Sequence, residues 1–188
     1  RMLSSCPETH LNVAVSIDGT PEIHDSIRQV EGGYERSVAA TRRFVEQSQS
    51  SERLGVGVIV TVTRENEDTL CGHLEELVRE TGAQHLTINL ARTDALDQSL
   101  LSVNPDRYRE VVMEKRRLQD AGVLGRYEHP FARVAEARDR LMYQRVESVS
   151  RGAGGQHLPC TAGELSAVIF EDGTVRACEV LDDDIGNL

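Results

Sequence analysis

The stretch LNVAVSIDGTPEIHDSIR, Leu11 to Arg28, decides the fold. Leu11 to Ile17 is a mostly apolar run rich in β-branched residues, which predicts a buried parallel strand. It runs into Ser16-Ile17-Asp18-Gly19, and a second polar cluster, His24-Asp25-Ser26-Ile27-Arg28, follows closely. A strand, a polar lip and then a helix is how an α/β protein presents ligand-binding groups at the carboxyl end of a strand. Ser16, Asp18 and Gly19 offer a hydroxyl, a carboxylate and a backbone open to close approach. A ribose wants such groups, and Arg28 can take a carboxylate in bidentate fashion. The plainer reading makes Asp18-Gly19 a turn and Asp25 a helix cap.

The same alternation continues along the chain. Tyr34 to Gln47 predicts a helix, with Tyr34, Val38, Thr41 and Val45 on one face. Leu54 to Thr63 (LGVGVIVTVT) is the next strand. Thr69 to Glu80 is an amphipathic helix with Leu70, Leu74, Leu77 and Val78 inward, and Gly82 is placed to cap it. His85 to Ala91 (HLTINLA) is a third strand. Parallel strands need such helical crossovers. The expected fold class is therefore α/β, with the Val-rich strands forming part of a (β/α) barrel or a doubly wound sheet. Three strands alone leave unpaired edges. With Arg1 standing where a start methionine would be, the chain reads as a fragment cut at both ends.

Thr93 to Val103 is polar and predicts a loop. Asn104 to Asp120 is helical, with Pro105 in its first turn and Tyr108, Val111, Val112 and Leu118 on one stripe. Pro130 to Val146 is a further helix, and Ser150 to Gln156 is a flexible connector. Ser166 to Phe170 and Thr174 to Cys178, joined by Glu171-Asp172-Gly173, read as a β-hairpin.

Composition narrows the function classes. The 188 residues suit one domain or one and a fraction, and 39% hydrophobic content is enough for a core. No apolar run reaches the roughly 18 residues of a membrane helix, and Arg1 to His10 has no signal-peptide apolar region. A net charge of -10 argues against a nucleic-acid partner. Aromatic residues are 4% and Trp is absent, so there is little surface for stacking bases. Cys6, Cys71, Cys160 and Cys178 are too sparse for a secreted disulfide scaffold. The reading is a cytoplasmic protein without a membrane partner, its thiols free or bound to metal.

Cys160-Thr161-Ala162-Gly163 opens the last segment, in the pattern Cys-x12-Gly-x4-Cys that closes at Cys178. A hairpin brings its ends together, so the two thiolates can converge on one metal, and they suit an iron–sulfur cluster. A zinc site, a disulfide or two buried thiols are the alternatives. Cys71, beside Leu70 in a helix, reads as a small core residue.

Two signals resemble radical S-adenosylmethionine enzymes that carry a SPASM or twitch auxiliary-cluster domain. The first is SIDG followed by HDSIR, which is similar to the end of the family's fourth barrel strand. The second is Cys160, Gly173, Cys178 and the Ile185-Gly186-Asn187-Leu188 tail. The resemblance implies residues 1–92 as the C-terminal half of the barrel, 93–157 as a helical insertion and 158–188 as the start of the auxiliary domain. It implies that Ser16 touches the ribose of S-adenosylmethionine and Arg28 its methionyl carboxylate, while Asp18 orders the loop or reaches substrate. Thr63 and Asn66 fall near the adenine or ribose, and Leu90 near the adenine. Turn, cap and core roles are the alternatives for these last three.

Cys160 and Cys178 would bind an auxiliary [4Fe–4S] or [2Fe–2S] cluster. The family's Cys-x3-Cys-x2-Cys loop, which holds the main [4Fe–4S] cluster, has no counterpart in these 188 residues. The chain by itself should not generate the 5′-deoxyadenosyl radical, whereas a longer parent should. The resemblance further implies an electron donor such as a flavodoxin or ferredoxin, and a peptide or protein among the substrate classes. No residue is singled out as the catalytic base; Asp182, Asp183 and Asp184 read as solvated acids. The alternative from another class is a non-catalytic α/β module that holds a nucleotide or metal.

Overall fold

The computed structural model describes residues 8–91, 97–126, 131–153, 161–178 and 183–188. The chain divides into two compact units, Arg1–Gly152 and Ala153–Leu188.

The first unit is built on β1 (Leu11–Ser16), β2 (Leu54–Val62) and β3 (His85–Leu90), which form a parallel sheet in the order β1-β2-β3. Between β1 and β2 run two helices, α1 (Pro21–Arg28) and α2 (Gly33–Ser48); α3 (Leu70–Thr81) joins β2 to β3. The expected strands and crossovers are thus present, and the class is α/β. The Pro21–Arg28 segment forms a helix of its own. Pro21 starts it, because proline has no N–H for the first turn to lose.

β2 shows why the sheet is one-sided. Val56, Val58, Val60 and Val62 are fully buried on the face that the helices cover, beside Leu86 and Ile88 of β3. Ile17, Tyr34, Val38, Leu70, Leu74, Leu77 and Val78 complete that core. The alternate positions make a different face. The register sets Ser16 beside Ile59, Ile59 beside Thr87, and Thr61 beside Asn89. On it Asn12, Ala14, His85, Thr87 and Asn89 are exposed. A parallel sheet ordinarily has both faces covered; among the described residues only one face is.

Beyond β3 the chain makes a 3₁₀ turn at Gln98–Leu101, then α4 (Pro105–Asp120) and α5 (Ala132–Ser150). The Asn104 side chain caps α4, accepting from the Asp106 N–H at 2.9 Å. Tyr108, Val111 and Leu118 then enter the core. α5 contributes Tyr143, whose hydroxyl accepts the Ile88 N–H at 3.3 Å and so satisfies a donor of β3. No helix among the described residues is long and apolar enough to cross a membrane.

The second unit is a small antiparallel sheet of β4 (Val168–Ile169), β5 (Thr174–Arg176) and β6 (Asp184–Asn187). The hairpin with Gly173 at positive φ is where the Asp-Gly turn signal places it. β6 is a third strand that composition did not reveal, since DIGN has almost no strand-forming character.

Candidate functional site at the carboxyl end of β1

The site grows from Asp18, which is 1% exposed. A carboxylate this deep needs partners, and it has them. Oδ2 accepts from Arg28 Nε at 2.7 Å and lies 2.6 Å from Arg28 Nη2. Oδ1 accepts the Thr61 N–H at 2.8 Å. One carboxylate therefore ties the loop after β1 to the last turn of α1 and to the end of β2. The neighbouring Gly19 has φ +143°, and a Cβ there would lie 3.2 Å from Ile23 Cγ2. Only glycine suits that combination.

Asn66 repeats the logic from the other side. It is 0% exposed. Its Nδ2 donates to the carbonyls of Asp18 at 2.7 Å and Thr61 at 2.9 Å, and its Oδ1 accepts the Thr63 N–H at 2.8 Å. The two strand ends are thereby locked together through one amide. The Thr63 hydroxyl beside it is buried and has no hydrogen-bond partner among the described residues.

The HDSIR segment serves the same framework. His24 Nδ1 accepts the Asp18 N–H at 3.1 Å, which requires a neutral ring. Burial lowers the His24 pKa below its ordinary value, with the nearby Asp18 carboxylate opposing that shift. Asp25 accepts from the Gly32 N–H at 2.6 Å and the Tyr34 N–H at 2.8 Å, so it caps α2 from the preceding helix. Those N–H groups, Tyr34 first, hold its carboxyl below the usual carboxylate range.

Ser16 and Arg28 share a cavity. An open hollow of about 390 Å³ has Ser16, His24, Arg28 and Arg36 in its wall, with Val15 and Val30 as its apolar part. Arg28 reaches Asp18 yet keeps 42% of its side chain exposed, so one edge of the guanidinium grips the framework and another faces solvent. Of the expected site residues, Ser16 and Arg28 meet at this hollow, while Asp18 and Asn66 point into the framework beneath it. Leu90, at the end of β3, is half-buried and packs on the core.

Cys160 lies outside the described residues, as does Asp182, so the expected thiolate pair is represented by Cys178 alone, a half-buried cysteine. No group of three or more His, Cys, Asp or Glu residues that could hold a metal occurs among the described residues. Cys71 packs against the core, and burial raises its thiol pKa.

The hydrogen bonds of two buried polar residues had no signal in the sequence. Glu67 is buried, accepts the Asn104 N–H at 2.6 Å and pairs with Arg64, so it anchors the start of α4 to the loop after β2. It is one acid among Glu65, Glu67 and Asp68, and only the fold distinguishes them. Tyr34 donates to Glu80 Oε2 at 2.7 Å and stacks edge-on to His24, linking α2 to α3. No protein-family model matches the chain, and a search of curated proteins finds no match.

Proposed function

We propose that this chain is part of a radical S-adenosylmethionine enzyme, with the hollow at the end of β1 as its share of the cofactor site. The observation that carries the reading is that Ser16, the first residue of SIDG, and Arg28, the last of HDSIR, line one cavity at the carboxyl end of a parallel strand. The helix-free sheet face supports the barrel part of it. In a (β/α) barrel the helices lie outside and the other face of the strands turns inward, and here that face carries mainly small and polar side chains, with Ile59 among them.

The residues fit the cofactor in part. The Ser16 hydroxyl suits a ribose hydroxyl, and the exposed edge of Arg28 suits a carboxylate. The Thr63 hydroxyl, expected near the adenine or ribose, is buried just past the end of β2, without a partner among the described residues and outside the wall of the hollow. Asp18 and Asn66 act one step back. Asp18 orients the guanidinium, and Asn66 fixes the loop that carries Asp18. When bound next to a reduced [4Fe–4S] cluster, S-adenosylmethionine supplies radical hydrogen-abstraction chemistry. This chain's residues bind and orient. The reading assigns Cys160 and Cys178 to an auxiliary cluster, a flavodoxin or ferredoxin to electron supply, and a peptide or protein to the substrate.

Calorimetric titration of S-adenosylmethionine into the chain tests this. Saturable binding is expected, weakened by about three- to ten-fold in Ser16→Ala, the loss of one hydrogen bond. Absence of saturable binding, or an unchanged affinity in Ser16→Ala, contradicts it.

A further inference from the structure

A second cavity, of about 380 Å³, runs between α4 and α5. Its wall holds hydrogen-bond donors that the fold does not use. Tyr108 is 1% exposed, and its hydroxyl has no partner among the described residues. A buried hydroxyl without a partner costs free energy, so such a group is retained against a stability penalty. Lys115, two turns along the same helix, is 7% exposed. Its ammonium donates to the Tyr143 hydroxyl at 2.9 Å and lies 4.8 Å from the centre of that ring. It makes no ion pair among the described residues, although a buried ammonium ordinarily has one.

Tyr143 completes the set. Its oxygen accepts from Lys115 and from the Ile88 N–H, so both lone pairs are occupied. The phenolic hydrogen remains to be donated, and no acceptor for it occurs among the described residues. Charge on the wall points the same way. Four acids also line the wall: Glu147 is held by Arg151 at 3.1 Å, Asp139 pairs with Arg138 at 2.8 Å, and Asp120 and Glu136 share Arg126, the latter at 3.8 Å, so each has a cation beside it. Arg116 and Arg140 line the cavity without an acid partner among the described residues. Val112 supplies an apolar wall.

We propose that this groove binds a small organic anion, its carboxylate or phosphate oxygens accepting from Lys115 Nζ and from the Tyr108 and Tyr143 hydroxyls. The site is separate from the hollow at β1 and does not rest on the reading given for that hollow. An anion answers the Lys115 charge and the Tyr108 and Tyr143 hydroxyl hydrogens together, and its organic body lies against Val112.

The test is a nitrogen-15 NMR titration of the full chain with two probes, benzoate and inorganic phosphate. Saturable shifts confined to α4, α5 and the adjoining part of β3 are expected with at least one probe. Benzoate alone identifies a carboxylate site, and phosphate alone a phosphate site. Lys115→Met should weaken binding by about ten-fold or more. Tyr108→Phe removes only the unpartnered oxygen, so it should weaken binding by about three- to ten-fold while leaving the ligand-free protein as stable or more stable. If Lys115→Met fails to fold, the Tyr108→Phe comparison decides. Absence of saturable shifts with both probes overturns the proposal, as does wild-type affinity in Tyr108→Phe.

Discussion

Replacing Asn66 by alanine removes the fastener between the ends of β1 and β2. Three buried backbone groups lose partners: the carbonyls of Asp18 and Thr61, at 2.7 and 2.9 Å, and the Thr63 N–H at 2.8 Å. Each such group costs about 1–3 kcal/mol when left unsatisfied. A water entering the vacated polar space recovers part of this. The expected loss is about 3–5 kcal/mol, a large share of the 5–15 kcal/mol that holds a domain together. The melting temperature should fall by about 10 °C. Asn66→Asp should be worse, because a carboxylate oxygen then faces two carbonyl oxygens, with the Asp18 charge nearby. Urea unfolding followed by far-ultraviolet circular dichroism measures both variants. A loss below about 1 kcal/mol in Asn66→Ala, or an Asn66→Asp variant at least as stable as Asn66→Ala, refutes the fastener role.

Further consequences follow from the same framework. Arg28→Met leaves the buried Asp18 carboxylate without its cation and should cost about 2–4 kcal/mol in chemical denaturation; adding Asp18→Asn should restore part of that loss. Because burial lowers the His24 pKa, its stabilising contribution is full above the unfolded value of about 6.5 and is lost as pH falls toward the folded value. Stability should therefore drop from pH 7 to pH 5, and His24→Asn should flatten the profile. A residual slope should remain from His85, an exposed residue whose ring is desolvated enough, with the Lys115 charge adding to this, to lower its pKa. An unchanged slope in His24→Asn counts against the Asp18–His24 bond. Asp25→Ala strips the cap of α2 and should lower the melting temperature measured at neutral pH. With its pKa depressed, Asp25 contributes fully above its unfolded value near 3.9, and its contribution is lost as pH falls through the folded value.

The parallel sheet was readable because β2 is a long β-branched run and α3 keeps a clean apolar stripe ending at Gly82, which takes the left-handed conformation there. α1 was less readable. PEIHDSIR is eight residues dense in polar groups, and its helix is stabilised by what it fastens rather than by an apolar face. The hollow followed from SIDG and Arg28, since strand ends in α/β folds gather such groups. What could not be read was the direction in which each polar group points. Asp18 and Asn66 satisfy backbone in the interior, as Glu67 does, because buried N–H and carbonyl groups at strand ends demand partners. The cluster of Tyr108, Lys115 and Tyr143 depends on α4 meeting α5, a tertiary event that no local pattern encodes.

The most direct test of the cofactor reading compares S-adenosylmethionine with 5′-methylthioadenosine, which keeps the adenosine and lacks the methionyl carboxylate. If Arg28 receives that carboxylate, the truncated compound binds at least about ten-fold more weakly by calorimetry, and Arg28→Lys narrows the gap. Equal affinities for the two compounds contradict the assignment.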